Sequence, residues 1–182
     1  MAVTPAHFDA WYTELRVPLR GYLRRITGSA AAADDLFQET WVRLLTHPPR
    51  TADLPSVRAY VFTIASRLAT DAWRRDSWLQ RWLKPRRPQP DGTGDEIDDL
   101  PSDTELAPDA QAAMREQVVH ALACLSPRER ALVWLAHVEH YDHDEIAAIL
   151  DLRPRSIRVL LHRARKRAAA ALRETKTPRG AP

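Results

Sequence analysis

The stretch Asp142–Arg167, DHDEIAAILDLRPRSIRVLLHRARKR, constrains the chain more than any other. Its apolar residues recur at helical spacing twice, with a break between the two runs. Asp142 is placed to cap a first helix, and Glu145, three residues on, completes a capping box. Ile146, Ala147 and Leu150 then form one apolar stripe. Asp151 stands where the chain must bend, and Asp tolerates the left-handed backbone better than most residues. Pro154 suits the first turn of a second helix, where its missing N–H costs nothing. Ile157, Leu160 and Leu161 face back onto the first helix, and the small Ala147 lets the two cross closely. This is the spacing of a helix-turn-helix, a motif whose second helix enters a DNA major groove. On that second helix Arg155, Ser156, Arg158, Val159, His162 and Arg163 point away from the stripe. Arg can hydrogen-bond a guanine edge in bidentate fashion, and Ser and His can donate to phosphates or bases. The alternative is a plain amphipathic hairpin with a solvated basic face, and the agreement of caps, turn and spacing at once favours the DNA-binding motif.

Charge supports a polyanion partner, but only in part of the chain. The formal net charge is +3, yet residues 151–182 carry ten basic groups against Asp151 and Glu174. Residues 91–109 carry eight acidic groups (Asp91, Asp95, Glu96, Asp98, Asp99, Asp103, Glu105, Asp109) and no Lys or Arg. Such asymmetry points to nucleic acid at one end and a different task in the middle. Scarce Gly and abundant Ala, Leu and Arg favour helices. Cys124 is the one cysteine, so neither an intramolecular disulfide nor a cysteine-rich zinc site can form; with apolar neighbours it reads as core. No apolar run approaches the ~18 residues of a spanning helix. The start, MAVTPAHFDAWY, lacks the charged-then-apolar pattern of a secretory signal, and a cytoplasmic protein is expected.

Upstream, residues 5–27 carry Phe8, Trp11, Tyr12, Leu15, Leu19, Tyr22, Leu23 and Ile26 at helical spacing, with Pro18 expected to kink or break the helix. Thr27-Gly28-Ser29 ends it, and Ser29 can cap the next. A second helix over 30–46 sets Leu36, Phe37, Thr40, Trp41, Leu44 and Leu45 on one side. Its other side bears a ridge of Asp35, Gln38, Glu39 and Arg43, which spacing alone reads as a solvated face with a Glu39–Arg43 pair. After a proline-fixed loop, a third helix spans about 55–75, with Val57, Tyr60, Val61, Ile64, Ala65, Leu68 and Ala72 toward the core. Arg58, Arg67, Arg74 and Arg75 line an exposed side, and Tyr60, Phe62, Trp73 and Trp78 are aromatics able to stack on unpaired bases.

The Pro-rich acidic stretch 84–109 reads as a flexible linker. A further helix carries Ala112, Ala113, Val118, Val119, Ala121, Leu122 and Leu125. Ser126-Pro127-Arg128-Glu129 is a second capping box, and Ala131, Leu132, Leu135 and Ala136 follow it. The expected fold is all-α: a three-helix bundle in 1–83, the linker 84–109, a four-helix module with the helix-turn-helix in 110–174, and a disordered tail 175–182.

Two segments in this order resemble the sigma factors of bacterial RNA polymerase. ADDLFQETWVRL resembles their second conserved region, and VRAYVFTIASRLATDAWRR resembles the promoter-reading helix that follows it. LSPRERALVWLAHVEHYDHDEIAAILDLRPRSIRVLLHRARKR resembles their fourth conserved region. Two modules with a short linker are the layout of the extracytoplasmic-function (ECF) subfamily. The resemblance implies that Asp35, Gln38, Glu39 and Arg43 meet core RNA polymerase on its largest catalytic subunit. It implies that Arg58, Arg67, Asp71, Arg74 and Arg75 serve the −10 element, holding a flipped base and aiding melting. It assigns Arg155, Ser156, Arg158, Val159, His162, Arg163 and Lys166 to the −35 element. The acidic linker would run through the RNA exit channel, and an anti-sigma factor is an implied partner. No catalytic residue, metal, cofactor or small-molecule substrate is implied, and the chain is not expected to be an enzyme.

The sequence departs from the family pattern at a few positions. Ser66-Arg67 stands where Arg-Asn is usual, Arg153 stands where a capping Ser is usual, Arg155 replaces a common Gly, and Leu160 replaces a phosphate-binding Arg. Two rival readings are open to test. One is a stand-alone helix-turn-helix regulator with residues 5–80 as a sensor domain. The other is a metal enzyme using His137, His140 and His143 with Glu139, Asp142 and Asp144, although no HExxH spacing is present.

Overall fold

The computed structural model describes residues 4–82 and 117–176, apart from the side chains of 76–82 and 174–176. The expected linker 84–109 and the end of the tail fall outside the described residues. The helices are α1 (Pro5–Thr27), α2 (Ala30–Thr46), α3 (Leu54–Trp82), the helical residues 117–123 as α4, α5 (Pro127–His137), α6 (His143–Leu150) and α7 (Pro154–Lys176). No strand occurs among the described residues.

Pro18 does not break α1, which runs through it without interruption. Losing one N–H donor and crowding a carbonyl costs ~3 kcal/mol. Leu15, Leu19, Tyr22, Leu23 and Ile26, each 3% exposed or less, flank the proline on the buried face. At ~1.5–3 kcal/mol per buried side chain, their packing outweighs the defect. Gly28 then ends α1 in the left-handed conformation (φ 70°), its N–H bonded to the Arg24 carbonyl at 3.1 Å. Ser29 caps α2, accepting from the Ala32 N–H.

On α2, Ala33, Thr40, Trp41 and Leu44 are buried, and Thr40 returns its hydroxyl to the Leu36 carbonyl at 2.7 Å. Leu45, expected on this side, is 58% exposed. One residue beyond Leu44 turns ~100° around the helix, which carries Leu45 past the edge of the buried stripe. α3 outlasts its expected end near 75 and continues to Trp82. Val57, Val61, Phe62, Ile64, Ala65 and Leu68 line its buried face. Cys124, read from its neighbours as core, is exposed: it falls in the turn after α4, outside any buried stripe. α7 remains helical through Lys176, two residues into the expected tail 175–182, and Ala171 still packs inward at 4% exposure.

The two modules pack on one another. A single core cluster runs from Trp11 on α1 to Leu161 on α7. α1 lies against α5 and α3 against α6. Trp134 of α5 covers Gly21, where an added Cβ would already stand 3.5 Å from the indole. Arg130 donates to the Arg25 carbonyl at 3.2 Å, supplying a cation at the C-terminal end of α1. Phe62 of α3 meets Tyr141, just before α6, edge-on at 6.0 Å.

Candidate nucleic-acid interface

α6 and α7 form the helix-turn-helix, and each local device expected from the sequence is in place. The Asp142 carboxylate accepts from the Asp144 and Glu145 N–H groups, both at 2.8 Å, while Glu145 accepts from the Asp142 N–H at 2.8 Å. Asp151 adopts φ 53°, ψ 55°, and the Leu152 N–H reaches back to the Ala147 carbonyl at 2.8 Å. These contacts close the end of α6 as a Schellman-type cap. Ile146, Ala147, Ile149, Ile157 and Leu161 are buried in the core cluster. Leu150 and Leu160, expected in the same seam, are half-buried at its margin.

The outer face of α7 is open. Arg155, Arg158, Val159, His162, Arg163 and Lys166 are exposed and Ser156 is half-exposed. The cations of α7 from Arg155 to Arg167 divide into two sets. Arg165 donates to His137 Nε2 at 3.0 Å, and Arg167 pairs with Glu129 at 2.6 Å, so both fasten α7 to α5. Arg155, Arg158, Arg163 and Lys166 form no ion pair among the described residues. Burial, then the Arg165 and His140 charges, hold His137 below the ordinary imidazole value. It is therefore a neutral acceptor at neutral pH. No group of three His, Cys, Asp or Glu side chains converges to hold a metal among the described residues.

On α2, Asp35, Gln38, Glu39 and Arg43 are all exposed, with Glu39 and Arg43 paired at 2.9 Å. Val42 and Leu45, 52% and 58% exposed, run beside them. Asp34 is drawn off this ridge to Arg20 at 2.8 Å. The exposed face is thus amphipathic, which suits a protein surface better than DNA.

On α3, Arg67, Asp71, Arg74 and Arg75 are exposed and share one face at helical spacing. Trp73 stands beside them, 52% exposed. Arg58 is not on that face. Nine residues before Arg67, it sits about half a turn round the helix. There it pairs with Glu139, which also accepts from Trp134 Nε1 at 3.0 Å. Among the candidate stacking aromatics, Phe62 is fully buried by Tyr22 and Tyr141. Tyr60 is half-buried and tied to the His47 carbonyl at 3.0 Å. Trp78 lies among the side chains outside the description.

Ser66, beneath Arg67, is 4% exposed and bonded to the Tyr22 hydroxyl at 2.7 Å. Sequence reasoning missed Glu139 and Trp134 as contact residues between modules. No local pattern marks them, because the Gly21 and Arg58 they meet lie far away in the chain.

Comparison with known proteins agrees with this geometry. The "Sigma-70 region 2" family model matches residues 11–79, and the "Sigma-70, region 4" model matches residues 115–167. The ECF RNA polymerase sigma factor SigL of Mycobacterium tuberculosis is 29% identical over 174 residues, spanning 95% of this chain and 93% of SigL. RNA polymerase sigma factor CarQ of Myxococcus xanthus is 27% identical over 150 residues, spanning 80% of this chain and 77% of CarQ. Among solved structures, the sigma factor RpoE of Bartonella quintana, crystallised with the anti-sigma factor NepR, superposes with a TM-score of 0.56 at 19% identity. That match covers 91% of this chain and 98% of the RpoE chain. With both conserved regions present in order and a relative matched over nearly its whole length, the chain belongs to the extracytoplasmic-function family of RNA polymerase sigma factors.

Proposed function

We propose that this sigma factor grips core RNA polymerase with the α2 ridge and reads its promoter at two separate points. Asp35, Gln38, Glu39 and Arg43 make the polar contacts to the polymerase, and Val42 and Leu45 supply the apolar ones. The α3 face with Arg67, Asp71, Arg74 and Arg75 serves the −10 element. Unstacking a base costs a few kcal/mol, and the exposed Trp73 offers a stacking surface to offset it. α7 serves the −35 element from the major groove, with Arg155, Ser156, Arg158, Val159, His162, Arg163 and Lys166 toward the DNA. Residues 1–83 and 110–174 act as the two functional modules, with 84–109 as connector and 175–182 as tail. The chain acts in the cytoplasm, the polymerase performs the chemistry, and an anti-sigma factor holds the chain inactive until needed, as NepR binds RpoE.

The observation that carries the reading is the separation of two unlike exposed surfaces, a cationic one on α7 and an amphipathic one on α2. A stand-alone regulator needs only the first. Run-off transcription with purified core polymerase tests it on promoters mapped from transcript starts after overexpression. The expected result is initiation that depends on both the chain and the promoter. Tight sequence-specific binding by the free chain, with no transcript when core is added, favours the stand-alone regulator.

A further inference from the structure

We infer that Val159 reads the C5-methyl group of a thymine in the −35 element, so that α7 selects for a base-edge methyl as well as for hydrogen-bonding groups. This rests on the reading of α7 as the −35 helix and adds to it the chemistry of one position. Among the described residues of 117–176, Val159 is the only large apolar side chain that is exposed, at 50%. Packing does not account for it. Ile157, Leu161 and Ala164, each 2% exposed or less, form the buried stripe at this end of α7. At ~100° per residue Val159 points roughly 165° away from their mean direction, near the centre of the outer face. Its neighbours on the helix surface, three and four residues away, are Arg155, Ser156, His162 and Arg163. All four are polar, and none forms an ion pair among the described residues. Val159 is thus a bare aliphatic group ringed by hydrogen-bonding side chains. Helix propensity does not favour it either, because a β-branched residue is a poorer choice than lysine, glutamine or alanine at a solvated position. Pro154 heads α7, so Val159 stands in the second turn. A recognition helix meets base edges with these N-terminal turns.

The major groove decides what such a group can match. It offers donors and acceptors at every base pair and one apolar group, the thymine methyl. Against that methyl a valine leaves no polar atom unmet, and both apolar surfaces leave water. Against guanine or adenine the same side chain covers the N7 acceptor without offering a donor, and an unmet polar group is costly. Cytosine presents its amino donor and no methyl. Val159 therefore favours thymine by attraction and disfavours purines by exclusion. Arg155 and Arg163, one turn to either side, supply hydrogen bonds around the methyl contact. The same chemistry extends to 5-methylcytosine, which carries its methyl at the same place in the groove. Methylation of a cytosine at this position strengthens the contact rather than blocking it.

The test uses the full chain with core polymerase, on promoters mapped from transcript starts after overexpression. Each thymine of the −35 element, on either strand, is replaced singly by deoxyuridine, which removes the methyl and keeps the pairing. Holoenzyme affinity is measured with the parent chain and with Val159→Ala, a substitution that favours the helix. At one thymine or more, uracil should weaken binding by the parent about fourfold, the value of one methyl group removed from water. Val159→Ala should bind the thymine and uracil forms of that position alike. With 5-methylcytosine set against cytosine at the same position, the parent should show a similar ratio and the variant none. Uracil tolerated at every thymine overturns the inference, as does a methyl effect that persists unchanged in Val159→Ala. If unmodified promoters show no chain-dependent binding, the sigma-factor reading falls and takes the inference with it. Promoters bound and transcribed but indifferent to the methyl overturn the inference alone.

Discussion

Ser66→Ala should destabilise the protein more than Tyr22→Phe, although both break the same 2.7 Å hydrogen bond. The Ser66 hydroxyl already donates its one proton to the Phe62 carbonyl at 2.6 Å, so the Tyr22 phenol must be the donor of the shared bond. Burial pushes the phenol well above its ordinary value, so it stays protonated throughout the working pH range. Tyr22→Phe removes the donor and leaves Ser66 with its carbonyl partner. Its cost is one net hydrogen bond, ~1 kcal/mol. Ser66→Ala leaves the phenol O–H without a partner at a site where Tyr22 is 0% exposed. An unmet buried donor adds ~1–3 kcal/mol, for a total of ~2–3 kcal/mol. For a chain of this size that lowers Tm by ~5–10 °C, against ~2–4 °C for Tyr22→Phe. The double variant should then lie near Tyr22→Phe alone, because the stranded donor is gone. Urea unfolding followed by tryptophan fluorescence measures all three, since Trp11, Trp41 and Trp134 are buried reporters. Tyr22→Phe costing as much as Ser66→Ala, or two effects that simply add, would refute the assignment of donor and acceptor.

Asp35→Ala combined with Gln38→Ala should weaken binding to core polymerase by about tenfold, the value of one or two interfacial hydrogen bonds, with the fold unchanged because both residues are exposed; titration with labelled core measures it. Arg158→Ala should cut initiation ~10-fold or more at promoters that depend on their −35 element, one base contact being worth ~1–3 kcal/mol, and should leave core affinity intact in the same titration. Asp142→Ala removes both 2.8 Å cap bonds of α6 and should cost ~1 kcal/mol, read as a lower denaturation midpoint. Glu129 is pushed up by partial burial, but hydrogen bonds from Ser126 and the Arg167 charge overcome this and hold its carboxyl below the usual value of 4.5. Its contribution to stability is therefore full above pH 4.5 and is lost as the pH falls through the lower folded value. Glu129→Gln should flatten that part of an acid denaturation curve, and an unchanged curve would count against the pairing.

Local devices were legible because they are set by neighbours in sequence. The Ser126–Glu129 and Asp142–Glu145 boxes, the left-handed Gly28 and Asp151, and Pro154 at the head of α7 all follow from backbone chemistry within a few residues. Errors arose where tertiary packing decides. Pro18 passes without breaking α1 because the core around it outweighs one lost bond. Leu45 and Cys124 face solvent because a stripe has edges that composition does not mark. Phe62 cannot stack on a base because Tyr141, nearly eighty residues on in the chain, covers it. The packing of one module on the other was not legible, since its partners are far apart in sequence and two compact modules joined by a polar stretch read as independent. The departure at Ser66 becomes intelligible in the fold, since the position is buried against Tyr22 and has no space for an arginine.

The division of labour among the cations of α7 limits how strongly salt would act on a DNA contact made by this helix. Counterions leave DNA only when a positive charge arrives at a phosphate. The Arg167 charge is already matched by Glu129, and Arg165 is turned toward His137. Arg155, Arg158, Arg163 and Lys166 remain available on the outer face. Four ions released would give log K against log salt a slope no steeper than about −3.6, at ~0.9 per phosphate neutralised. A helix that looks densely basic in sequence would thus behave as a modestly charged one, and the proposed DNA recognition by α7 would keep much of its strength at ionic strengths that dissolve less selective basic contacts.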